Sequence, residues 1–278
     1  MSSQNSGSAS DASTSASAEA GSLQLENITR EFVSEAHGGV MLAVDQTSFS
    51  VEAGEFVAIV GPSGCGKSTL LNITAGLLTP TEGTVLIDGS EVADRRAYFG
   101  YMFQNDLLMP WADIRKNVAL GLEIAGTPRQ EARQRATAIL REFELDQFAD
   151  KYPSQLSGGM RQRVAFMRTL LCQRPILLLD EPFGALDALT RSVMQEWLLG
   201  VWETTQQTIV LITHDVEEAI FLADRVLMMT ARPGRIATEV TVDIDRPRRR
   251  NVLTSTHFNE IKEGILEELF QEIALGQE

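Results

Sequence analysis

Three short stretches of this chain carry side chains suited to phosphate chemistry. The first, GPSGCGKST at 61–69, has the form G-x-x-x-x-G-K-[ST], with Gly61, Gly66, Lys67 and Ser68 in the defining places. Glycines let successive backbone N–H groups converge on one anion, and a helix opening there adds the positive end of its dipole. Lys67 would meet the β- and γ-phosphates of a nucleotide while the Ser68 hydroxyl ligates Mg²⁺. The second stretch, ILLLDEP at 176–182, is an apolar run ending in two carboxylates. Asp180 at its tip suits an outer-shell position on that Mg²⁺; Glu181 points elsewhere and could polarise an attacking water. The third, LITHD at 211–215, sets His214 just past another apolar run. Alone, an acidic turn or a single histidine is a structural feature. Strand tips on one sheet edge converge, so the three together can address one γ-phosphate.

Elements of a particular kind are needed to bring those stretches together. Apolar runs bounded by turn residues read as buried strands at 56–60, 84–88, 176–180, 208–213 and 225–230. Helical patterns alternate with them at 67–77, 190–203 and 215–223, which predicts an α/β fold around a mainly parallel sheet. Residues 105–172 are nearly free of strand signal. There Ala132, Ala136, Ile139, Leu140 and Phe143 recur at helical spacing, so a helical subdomain is expected between two core strands. The net charge of −14 argues against broad binding to nucleic acid or to anionic lipid, both of which call for basic surface. No apolar run approaches the roughly 18–20 residues that span a bilayer. Cys65 and Cys172 make no disulfide framework. The Ser- and Ala-rich first 22 residues have neither a basic nor an apolar signal region and read as a disordered leader.

One stretch asks for something outside the chain. LSGGMRQR at 156–163 places Gly158 and Gly159 at a helix entrance, where glycine costs about 1 kcal/mol against alanine. Ser157 can cap that helix. A pair of glycines after it suggests that a ligand must lie against bare backbone.

Gly61–Thr69, Gln104 in YMFQNDLLMPW, LSGGMRQR, LLLDEPFGALD and THD, in that order, resemble the ATP-binding subunit of ABC transporters over about residues 23–245. The resemblance implies a P-loop NTPase of ABC type, with added antiparallel strands and the helical subdomain at about 105–172. It implies ATP held by Gly61, Pro62, Ser63, Gly64, Cys65, Gly66, Lys67, Ser68 and Thr69. Gln104 would sense Mg²⁺ and the γ-phosphate, completing a metal set with Ser68 and Asp180. Ser157, Gly158 and Gly159 would close on ATP held by a second copy, head to tail, with Asp187 communicating between the two sites. Phe32 in TREFVSE is the candidate for stacking on adenine, or else a core strand residue. The expected activity is ATP hydrolysis, with Glu181 as base and Lys67, Gln104 and His214 acting on the phosphates.

Within that family, LLMPWADIRKNVALGL and EPFGALDALTR resemble importers of nitrate, sulfonates, taurine and similar small solutes. That branch implies integral membrane permease subunits, indirectly a solute-binding protein, and a peripheral place on the cytoplasmic face of a bacterial inner membrane. A soluble ATPase of the same type acting outside transport is the alternative. Leu107, Leu108 and Trp111 are either the apolar patch that receives a permease helix or subdomain core. In the C-terminal extension, 246–278, Phe258, Ile261, Ile265, Leu269 and Ile273 form one helical stripe expected to dock on its own domain. The Arg248–Arg250 cluster before it reads as a solvated turn. Cys65, at a helix N-terminus, is expected to be either a reactive thiol that ATP protects or a small filler.

Overall fold

A computed structural model describes residues 20–34 and 39–275; the expected leader lies almost entirely outside them. The strands and helices run β1 (Leu23–Ser34), β2 (Gly39–Val51), β3 (Phe56–Val60), α1 (Lys67–Thr74), β4 (Glu82–Ile87), β5 (Ser90–Glu91) and β6 (Phe99–Met102). Three helices follow without a strand: α2 (Ile114–Ile124), α3 (Arg129–Glu142) and α4 (Gly158–Leu170). The chain then alternates through β7 (Ile176–Asp180), α5 (Ala188–Thr205), β8 (Thr208–Ile212), α6 (Val216–Leu222), β9 (Arg225–Met229), β10 (Ile236–Thr241) and α7 (Thr256–Leu275).

Six strands form the main sheet in the order β10-β9-β3-β8-β7-β6, parallel throughout except for the antiparallel edge strand β10. Its central strands are apolar on both faces because both faces are covered. Successive side chains of β3 show this: Phe56, Ala58 and Val60 join one core cluster, while Val57 and Ile59 join the other with Leu70 and Leu71 of α1. The run at 84–87 lies elsewhere, in a second, antiparallel sheet ordered β2-β1-β4-β5. A buried apolar run looks the same in either sheet, so its partner could not be read in advance.

The parallel register sets the site. Asp180 lies level with Ile212, Leu179 level with Met102, and Ile59 level with Ile212. The carboxyl ends of β3, β6, β7 and β8 therefore finish on one edge, and the chain leaves them at Gly61, Phe103, Glu181 and Thr213. The helical segment is built as its spacing predicts. Ala132, Ala136, Ile139, Leu140 and Phe143 are all buried in the cluster that also takes Val164–Met167 of α4.

On α7, Phe258 and Ile265 are fully buried in that same cluster, with Ile261 and Leu269 packed against it; the side chain of Ile273 lies outside the described residues. The arginine cluster ahead of α7 is only in part the solvated turn its charge suggested: Arg249 is exposed, but Arg248 is buried. Arg248 is 1% exposed and donates to the carbonyls of Ile220 (2.8 Å), Ala223 (2.6 Å), Val242 (3.2 Å) and Ile244 (3.2 Å). The reason is that a helix leaves its last carbonyls without donors, and at the end of α6 one guanidinium supplies several. Burial, with Arg246 nearby, pushes the Arg248 pKa down to about 10, which leaves it cationic at neutral pH. Arg248→Met should strand those carbonyls and lower unfolding free energy by about 2–4 kcal/mol in urea melts. A change below about 0.5 kcal/mol would show the buried bonds to be dispensable.

Candidate nucleotide site

The turn after β3 is compressed from both sides. A Cβ at Gly66 (φ 108°) would stand 2.7 Å from the Ala43 carbonyl oxygen, and one at Gly61 would stand 2.8 Å from that of Met229. Only glycine lets the loop pass so close to β2 and β9. Helix α1 then starts at Lys67 with no side-chain cap and no acidic residue in its first turn. Among the described residues no side chain complements its leading amides and dipole end, which suits an anion. Lys67, mostly buried, folds back to donate to the carbonyls of Gly61 (2.8 Å) and Pro62 (2.9 Å).

Beside this turn, at the end of β7, Asp180 is 4% exposed and its Oδ1 is buried with no hydrogen-bond partner among the described residues. Burial raises its pKa, against the pull of the Ser68 hydroxyl and Lys67. A buried carboxylate oxygen with a vacant lone pair beside a serine hydroxyl is the donor chemistry of a divalent cation, so Ser68 and Asp180 fit Mg²⁺. Glu181 follows in the left-handed region (φ 48°), anchored by its N–H to the Ile212 carbonyl (2.9 Å). Its Oε2 accepts from Gln104 Nε2 (3.3 Å) and lies 3.4 Å from His214 Nδ1. Residues from the ends of β6, β7 and β8 thus meet on one carboxylate.

Phe32, Ser63, Gly64, Gly66, Lys67, Ser68, Thr69, Gln104 and Glu181 line a single cleft of about 280 Å³, with Met41, Ala43 and Arg232. Residues 44–184 match the ABC transporter family. The chain belongs to that family, as its ATP-binding subunit. It is 45% identical over 241 residues to the taurine import ATP-binding protein TauB of Rhizobium johnstonii, covering 84% of this chain and 91% of the relative. It is 45% identical over 222 residues to the nitrate import ATP-binding protein NrtD of Synechocystis, covering 80% and 83% respectively. A solved dimeric ATP-binding cassette in a post-hydrolysis state, bound to ADP and Pi, superposes with a TM-score of 0.72 at 34% identity, covering 80% of this chain and all of that one. The chain accordingly binds ATP and is an ATPase.

Other expected residues of the ABC cassette stand apart from that cleft. Ser157 caps α4, accepting from the Met160 N–H (3.3 Å), and Ser157 and Gly158 are exposed. Asp187 caps α5 through Thr190 (3.0 Å to its N–H) and is also exposed. His214 is exposed and touches the cleft through Glu181. Cys65 is 1% exposed, its sulfur 3.7 Å from Lys67 Nζ and packed in the core, so an accessible thiol is ruled out there. The apolar segment after Gln104 divides: Leu108 is core, whereas Leu107 and Trp111 are 51% and 76% exposed.

Several cassette residues carried no signal in the sequence. Arg161 pairs with Asp106 (2.9 Å), and Arg168 donates to the carbonyls of Asp106 and Leu107 (both 2.8 Å), binding the glutamine segment to α4. Glu218, four residues beyond His214, is buried against Gln195, which donates to it at 2.8 Å. Desolvation pushes its pKa up to about 7, Asp215 adding to the effect, while Thr213, Gln195 and Arg191 oppose it. Between the ordinary carboxylate range and pH 7 the folded chain therefore holds a proton that the unfolded chain has released. Stability from this group is full at the acid end and falls as pH rises through about 7. Glu218→Gln should flatten the stability profile across that window, gaining roughly 3 kcal/mol on the wild type by pH 8 in pH-resolved urea melts. An unchanged slope would mean that Glu218 does not titrate there.

Proposed function

We propose that two copies of this chain pair head to tail around two ATP molecules and power import of a small solute such as taurine, nitrate or a sulfonate. The observation that carries this reading is that nothing among the described residues requires Gly158 or Gly159 to be glycine. Neither has a positive φ. A Cβ on Gly158 would meet only Arg161 Nη2, at 3.9 Å, and one on Gly159 would make ordinary contacts with Leu186 and Ala185 at 3.5 and 3.6 Å. Bare backbone there suits a ligand from outside the chain, to which the leading amides of α4, aimed by the Ser157 cap, would offer an anion site.

In each cleft, Lys67 would exchange its two loop carbonyls for phosphate oxygens. Ser68 and Asp180 would hold Mg²⁺, with Gln104 near them; the ion supplies charge neutralisation on the phosphates. Glu181, held by Gln104 and His214, is placed to orient and deprotonate water, and His214 can donate toward the γ-phosphate side. Phe32, half-buried under the Arg30 guanidinium (4.7 Å), offers a ring face at the cleft for adenine. Asp187 would act across the pair.

Among the described residues no helix is long and apolar enough to cross a membrane, so the membrane step belongs to permease subunits and the chain would sit peripherally on them, at the cytoplasmic face. Exposed Trp111 and Leu107 would receive a permease helix. A solute-binding protein would choose the cargo outside.

Glu181→Gln should retain ATP binding, accumulate ATP-stabilised dimers in size exclusion and hydrolyse ATP at under about 1% of the wild-type rate. Near-normal turnover would remove Glu181 from its role. Gly158→Gln should leave stability within about 1 kcal/mol and nucleotide binding by the isolated chain intact, yet cut ATP-driven dimerisation and turnover by tenfold or more. Loss of fold in that variant would place the constraint inside the chain instead.

A further inference from the structure

The loop between β9 and β10, residues 230–235, is clamped onto the nucleotide cradle at several points. The Gly234 N–H donates to the Ala43 carbonyl, and the Gly234 carbonyl accepts from the Asp45 N–H, both at 3.0 Å. A Cβ at Gly234 would fall 2.1 Å from the Cys65 carbonyl oxygen, so this backbone lies directly on the phosphate loop. Thr230 ties the loop internally to the Ala231 and Pro233 carbonyls (2.9 Å each), and Arg235 pairs with Asp45. The purpose of such a clamp is legible in what it presents. Arg232 Nε and Nη2 both donate to the Gly64 carbonyl (3.2 and 2.8 Å), which lays the guanidinium along the cleft wall. Its third nitrogen, Nη1, has among the described residues only the Met41 sulfur at 3.1 Å, a weak acceptor for a charged donor. Met41 is the cross-strand partner of Phe32.

We propose that Arg232 is a nucleotide-binding residue, its Nη1 donating to the sugar–phosphate portion that ATP and ADP share. This rests on the cleft being the ATP site. Among the described residues the hydrogen-bond partners of Arg232 are Gly64 and Met41, and none is Asp180, Glu181 or Gln104, where a γ-phosphate would lie. An arginine fixed by two bonds to the loop meets an oxygen ligand with little further loss of side-chain freedom.

The test is calorimetric titration of the full chain with ATP and with ADP, for wild type, Arg232→Met and Arg232→Lys, at low and high salt. Arg232→Met should weaken both nucleotides about tenfold and equally, Arg232→Lys about threefold, and the deficit should shrink at high salt as a charge contact does. Should the Met variant fail to fold, the Lys variant decides on the same criteria. Unchanged affinities, a loss confined to ATP, or a salt-independent loss each overturn the proposal. Wild-type chain that bound neither nucleotide would overturn the ATP reading with it, whereas normal wild-type binding beside an unaffected variant overturns this inference alone.

Discussion

Placing an unpartnered carboxylate oxygen at the end of an apolar strand costs of the order of 1–3 kcal/mol or more, and Asp180 Oδ1 is in that position. The fold tolerates it because β7 is packed on both faces within two large core clusters, which hold the strand end where it is. The strain is local and directed. Lys67, the nearest cation in the cleft, turns to the carbonyls of its own loop and leaves that oxygen free. Cradle, serine hydroxyl and carboxylate therefore lie together at one end of the sheet, with the carboxylate oxygen open to a ligand.

The surrounding cleft depends on that rigid edge. Glu181 reaches across it only because its backbone is held in the left-handed region by the end of β8, and Gln104 and His214 meet there on one oxygen. From Gln104 the chain runs to Asp106 and Leu107, which are bound by Arg161 and Arg168 of α4. The helix that presents Ser157, Gly158 and Gly159 outward is thus joined to the carboxylate by a short run of hydrogen bonds and ion pairs. On the opposite side, Arg250 bonds Gln195, and Gln195 bonds Glu218, so the segment before α7 is wired to the helix that follows His214.

The sequence was most legible where a role is local. The glycine loop could be read because left-handed turns and missing side chains leave a mark in residue type, and the central strands because burial on both faces yields unbroken apolar runs. Strands β1, β2 and β10 gave no such run. The first two are half-exposed and broken by register shifts, and the third alternates partly buried with exposed residues. Strand β6, four residues long with Gly100 inside it, was too short to register.

Residue types and spacing were enough to name the chemical groups this chain carries: a phosphate loop, two carboxylates and a histidine, each at the end of a strand that could only be interior. The tertiary structure alone decided which charged groups serve that chemistry and which serve the fold. Arg248 and Arg232 look alike as letters, yet one is buried on the carbonyls of a short helix and the other lies on Gly64, 168 positions away in the chain. An arginine's role depends on which oxygens stand within reach of its five donors, and folding places those oxygens.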